Sequence, residues 1–232
     1  MQEMMKDPRW YSPLNVVAHA YTDIEPGKAP KKVEELWAAA VMLAGMQEIE
    51  RRQYWLQPVS DAEGSPDVRT ITKTERSDDR APDYTYQDLE IVSYTASSAA
   101  TGETLPEFLL RTKLSRVKAY DKLTTILIWV KAAAPASTAA EWKAAIARAK
   151  TQVPAVVLLG HTHPTEPLYS LVQVYPEPRP LIPQFNLPEV LKKQGYTGVI
   201  NLRRGTKNKT ERREGEEHCP FESLGVKCTQ IK

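Results

Sequence analysis

The run Thr124-Thr125-Ile126-Leu127-Ile128-Trp129-Val130 limits what this chain can become more than any other stretch. It is β-branched, apolar and bounded by polar residues, which is the pattern of a strand buried on both faces. Such a strand needs helices to cover it, and the chain supplies them. From Lys31 to Arg52 the apolar residues fall at Val33, Leu36, Trp37, Ala40, Val41, Ala44 and Ile49, a helical spacing with alanine-rich propensity. Glu34, Glu35 and Glu48 line the more polar side of that helix. A second helix is expected from about Leu105, with Pro106 tolerated in its first turn and Phe108, Leu109, Leu114, Val117 and Tyr120 as its apolar positions. Ser137-Thr138 caps a third, with Glu141 completing a capping box, and it runs to about Lys150.

Five more strands are expected, at Tyr54–Val59, Val68–Thr72, Gln87–Tyr94, Val153–Leu159 and Tyr169–Tyr175. Residues 73–86 read as a solvated polar loop. The order is helix, three strands, helix, strand, helix, strand, strand, which predicts an α/β fold with a central mixed β-sheet flanked by helices. Residues 1–30 read as an N-terminal extension in which Leu14–Ala20 is a short packed segment. Residues 31–176 read as the α/β core, and 177–232 as a proline-rich and charged C-terminal arm with a short helix at Glu189–Gln194.

Length and composition suit a single sizeable soluble domain: 232 residues, 41% hydrophobic and 26% charged. Thirty-one basic against 29 acidic residues leave +2, which permits nucleic-acid binding without arguing for it. The start, Met1–Asp7, has acids and no apolar run, so no secretory signal is expected. No apolar segment approaches the ~20 residues of a membrane span. The two cysteines, Cys219 and Cys228, exclude a disulfide scaffold and make a reducing cytoplasm the expected location.

The chemistry-bearing stretch lies between Gln53 and Tyr94. Along Asp88-Leu89-Glu90-Ile91-Val92-Ser93-Tyr94 side chains alternate, so Asp88 and Glu90 share one face. If Asp67 starts the neighbouring strand, three carboxylates converge at one end of a sheet, an oxygen set that suits a hard divalent cation. The plainer readings are a turn residue for Asp67, in Ser65-Pro66-Asp67 after Gly64, and a solvated strand face for Asp88 and Glu90. Arg111, Lys113, Arg116 and Lys118 are either a solvated helix face or phosphate contacts beside the acids.

This element order, with Pro66-Asp67 and Asp88-Leu89-Glu90 where they stand, resembles the core of the PD-(D/E)xK nuclease superfamily, the restriction-endonuclease-like fold. The resemblance covers roughly residues 31–160. Pro66-Asp67 matches the first half of the family signature, and Asp88 sits in the acid slot of the second half with Glu90 replacing the usual lysine. If Glu90 is instead the acid, Val92 falls in the lysine slot. The resemblance implies hydrolysis of phosphodiester bonds in nucleic acid, DNA foremost, with Mg²⁺ or Mn²⁺ held by Asp67, Asp88 and Glu90. It further implies Glu35 as a fourth acid, a missing cation supplied by Lys113 or Lys118, and a homodimer where two strands are cut. The departure in the lysine slot keeps a second expectation open: a catalytically silent version of the fold that binds nucleic acid or protein.

A rival constellation is His161-Thr162-His163-Pro164 followed by Ser170, similar to the JAMM zinc-metalloprotease motif, with Gln173 where that family has its Asp. The simpler reading is a hairpin loop with both histidines exposed. His218, Cys219 and Cys228 lack a Cys-x-x-Cys pair and read as tail residues.

Overall fold

The computed structural model of the chain describes residues 10–17, 31–50, 52–59, 66–75, 82–115, 124–150, 152–163 and 166–195. It is a mixed α/β structure built on one seven-stranded sheet whose strands lie in sequence order. These are β1 (Gln53–Pro58), β2 (Val68–Thr74), β3 (Asp83–Tyr94), β4 (Thr124–Val130), β5 (Val156–His161), β6 (Leu168–Tyr175) and β7 (Arg179–Asn186). β1, β2 and β3 run antiparallel, β3, β4 and β5 are parallel, and β5, β6 and β7 return to antiparallel pairing. The apolar run of β4 thus lies mid-sheet between two parallel neighbours, and six of its seven residues are buried.

Helices cover both faces. On one lies α1 (Lys31–Glu50) with the short α4 (Leu187–Lys193) and the turn at 13–17, packed on Leu56, Leu89, Ile91, Leu127, Leu159 and Leu171. On the other lie α2 (Leu105–Leu109) and α3 (Ala139–Ala149), packed on Val92, Tyr94, Ile126, Ile128, Leu158 and Val172. α2 and α3 are the connections between parallel strands. Two crossovers of the same hand that step the same way across a sheet fall on the same face. α3 begins as expected, with Glu141 N–H bonded to Thr138 Oγ1 at 3.3 Å and Thr138 N–H to Glu141 Oε2 at 2.6 Å.

The structure departs from the sequence reading in four places. The stretch expected as a loop over 73–86 contributes strand at both ends, since β2 runs to Thr74 and β3 begins at Asp83. The proline-rich stretch expected to be an arm contains β7, an edge strand, which is where a sheet tolerates proline. The second helix changes pitch: α2 continues as a π-helical turn over Leu110–Leu114, with Ser115 N–H reaching back to Leu110 O at 2.9 Å. Finally, α1 is not amphipathic in its middle, because Ala38–Gly45 are all buried. It packs on β1 and β3 as well as on β7 and α4, so only small and apolar residues fit.

Candidate functional site

Four segments bring five charged side chains together beside the β2–β3 pair. β2 is preceded by Pro66 and Asp67, both buried. The Asp67 N–H bonds Leu89 O at 3.1 Å, and its Oδ2 accepts from the Ile91 N–H at 2.8 Å. The side chain therefore continues the β2–β3 ladder where the backbone of β2 leaves it, which holds the carboxylate rigidly. Glu90, on β3, is 3% exposed.

Lys113 joins the two acids. Its Nζ donates to Glu90 Oε2 at 2.6 Å and to Asp67 Oδ2 at 3.3 Å. It comes from the π-helical turn, and one residue inserted into an α-helix rotates everything beyond it by about 100°. The wide turn is thus part of what aims Lys113 at the sheet. From the opposite face Lys32, in the first turn of α1, donates to Asp67 Oδ1 at 2.7 Å. Glu35, one turn further, is 2% exposed. Lys31 Nζ stands 3.0 Å from its Oε1 and Lys32 Nζ 3.8 Å from its Oε2. Both Glu35 oxygens are thus buried and ion-paired, Oε1 closely to Lys31 and Oε2 more loosely to Lys32.

The protonation states follow from this layout. Burial works against the charge of Asp67. The Lys113 ammonium, the Lys32 hydrogen bond and the Ile91 N–H outweigh it and hold its pKa below the usual carboxylate range. Burial likewise opposes charge on Lys113, but Asp67 and Glu90 carry its pKa above the usual value. Glu35 goes the other way: burial first, and then the Asp67 charge, push its pKa up, only partly opposed by Lys31 and Lys32.

Asp67, Glu90 and Lys113 are thus brought together, with Glu35 on the α1 side of Asp67. Asp88 stands apart. It shares the Glu90 face of β3 but lies two residues further out along the strand, level with Arg69 on β2 and Thr124 on β4. Lys32 was missed, and the signal that pointed to it was its spacing of three residues from Glu35 on one helix. Lys118, Arg116 and the His218, Cys219 and Cys228 group lie outside the described residues. Among the described residues no three His, Cys, Asp or Glu side chains already converge as a metal-holding group, since lysines intervene between the acids.

Among the described residues His161 and His163 are not joined by a third metal-ligating side chain. The exposed His161 ring lies over Tyr169 at 4.2 Å, and His163 Nδ1 accepts from the Glu166 N–H at 3.2 Å. Ser170 is buried and donates to Pro183 O, while Gln173 bonds Glu177 O at 3.1 Å. A hollow of about 320 Å³ beside Lys143, Lys150 and Tyr175 shares no residue with the carboxylate cluster.

No family model matches the chain, and neither a curated protein nor a solved structure matches it. Among the described residues no helix is long and apolar enough to cross a membrane.

Proposed function

We propose that the protein is a metal-dependent nuclease with a restriction-endonuclease-like core, hydrolysing phosphodiester bonds at the Asp67–Glu90–Lys113 cluster. The observation that carries this is the Lys113 ammonium shared between Asp67 and Glu90, two buried acids and a cation delivered by separate elements. The helix-borne lysine supplies the positive charge that Val92 cannot. In this reading Glu90, rather than Asp88, is the acid of the second half of the signature.

Asp67 and Glu90 would hold Mg²⁺ or Mn²⁺, with Glu35 contributing its buried oxygens. The donor set is oxygen only, as those cations require, and the Lys31 and Lys32 ammoniums paired with Glu35 are the groups a cation would displace there. When bound, the cation polarises the phosphate and lowers the pKa of the attacking water. Lys113 orients that water and stabilises charge on the phosphate oxygens, and Lys32 holds Asp67 in place from below.

The test is cleavage of plasmid DNA, single-stranded DNA and RNA in Mg²⁺ and Mn²⁺, wild type beside Asp67→Asn, Glu90→Gln and Lys113→Met. The expected result is cleavage reduced about a hundredfold or more in each variant with circular dichroism unchanged. A second reading is favoured by the ion pairs themselves: the acids already hold lysines, as in a catalytically silent binding module. Absence of cleavage together with no Mn²⁺ uptake by calorimetry would establish that reading over the first.

A further inference from the structure

We propose that the outer end of the β1–β3 ribbon is a stacking platform for single-stranded nucleic acid, and that it leads the strand to the carboxylate cluster. The leading role rests on the nuclease reading above, whereas the binding does not. β3 is 12 residues long, and it pairs with β4 only from Asp88 onward. Its first five residues, Asp83–Gln87, project beyond the body of the sheet and are all exposed. Exposed strand ends are ordinarily blunted by charge or proline. Here Tyr84 is 54% and Tyr86 59% exposed.

Pairing places Tyr86 level with Ile71 and Trp55, and Tyr84 level with Lys73 and Gln53. All six side chains stand on one face. The Trp10 ring, also exposed, meets Tyr86 edge-on at 6.4 Å. β3 pairs without a bulge, so alternation carries the same face on to Asp88 and Glu90. At roughly 3.4 Å per residue Tyr86 lies about 14 Å, and Tyr84 about 20 Å, along the strand from Glu90. That is a run of a few nucleotides.

The charges decide which nucleic acid fits. Arg69 and Lys73 stand among the rings, but Asp88 is opposite Arg69, Glu75 is ion-paired with Lys73, and Asp83 opens the strand. A near-neutral patch offers little to the two phosphate rows of a duplex, whose binding is mostly electrostatic. Unpaired bases stack on aromatic faces whatever their sequence.

The experiment is fluorescence anisotropy in EDTA with labelled oligothymidylate and oligouridylate of roughly 16 nucleotides, against a duplex of similar length. The wild type is expected to prefer the single strands, with the two sugars telling DNA from RNA. Tyr84→Ala with Tyr86→Ala should weaken single-strand binding about tenfold or more, and the Tyr→Phe pair, which keeps both rings, should retain it. Equal binding by the alanine pair, a preference for duplex, or a self-association lost in the alanine pair by sedimentation would each overturn the platform. Single-strand binding in EDTA with no cleavage once Mg²⁺ or Mn²⁺ is supplied would sink the nuclease and keep the platform. Cleavage with an unchanged KM for single strands in the alanine pair would do the reverse.

Discussion

Lys113→Met is the substitution that most directly tests the architecture of the site. The Lys113 side chain is 17% exposed and its ammonium lies 2.6 Å from Glu90 and 3.3 Å from Asp67, acids that are themselves 5% and 8% exposed at the side chain. Methionine keeps most of the volume and removes the charge, so two buried carboxylates face each other with one cation fewer. Removing one member of a buried ion pair costs about 3–5 kcal/mol. Lys32 still holds Asp67 at 2.7 Å, which puts the expectation near the lower end, about 3 kcal/mol. With a urea m-value of about 2 kcal/mol/M, that is a midpoint lowered by roughly 1.5 M at neutral pH. Adding Mg²⁺ should restore much of it if the acids then take the cation, because saturation at about 100 times Kd contributes about 2.7 kcal/mol. The assay is urea unfolding followed by tryptophan fluorescence, with and without Mg²⁺. A variant as stable as the wild type in EDTA would refute the claim that Lys113 neutralises this pair.

The pH dependence has a definite sign. Asp67, with its pKa depressed, contributes stability that is present above the usual carboxylate range and lost as pH falls through its folded value. Glu35, with its pKa raised, contributes stability that is full below the usual range and lost as pH rises through its folded value. Acidification from neutrality should therefore raise the urea midpoint before lowering it, and Glu35→Gln should abolish the initial rise; a steady fall from neutrality in the wild type would contradict this. Gly45→Ala should destabilise by about 1 kcal/mol in thermal unfolding. A Cβ there would lie 2.9 Å from Ile182 Cδ1 and 3.0 Å from Phe185 Cζ, and an overpacking cost of about 1–3 kcal/mol exceeds the ~1 kcal/mol gained in helix propensity. Leu127→Ala, at the middle of β4 with no exposure, should cost about 2–5 kcal/mol by the same measurement.

Local pattern carried a large part of this protein. The apolar run of β4, the helical spacing of α1 and the Thr138–Glu141 capping box are short-range signals, and they mark elements whose conformation neighbouring residues already favour. Pro66-Asp67 and the alternation through Glu90 likewise put two acids within reach of one another, because strand period is a property of the chain itself. What tertiary structure decided is everything that depends on which surfaces meet. Alternation cannot choose between Asp88 and Glu90, as both share a face; the reach of the Leu110–Leu114 turn over the sheet chooses Glu90. Glu35 looked like a solvated helix residue, and it is buried because α1 is covered on more than one side. β7 was hidden by its prolines, whose meaning depends on whether a strand lies at an edge. Strand pairing, burial and ion pairing across distant segments are cooperative properties of the packed chain, and no window of sequence contains them.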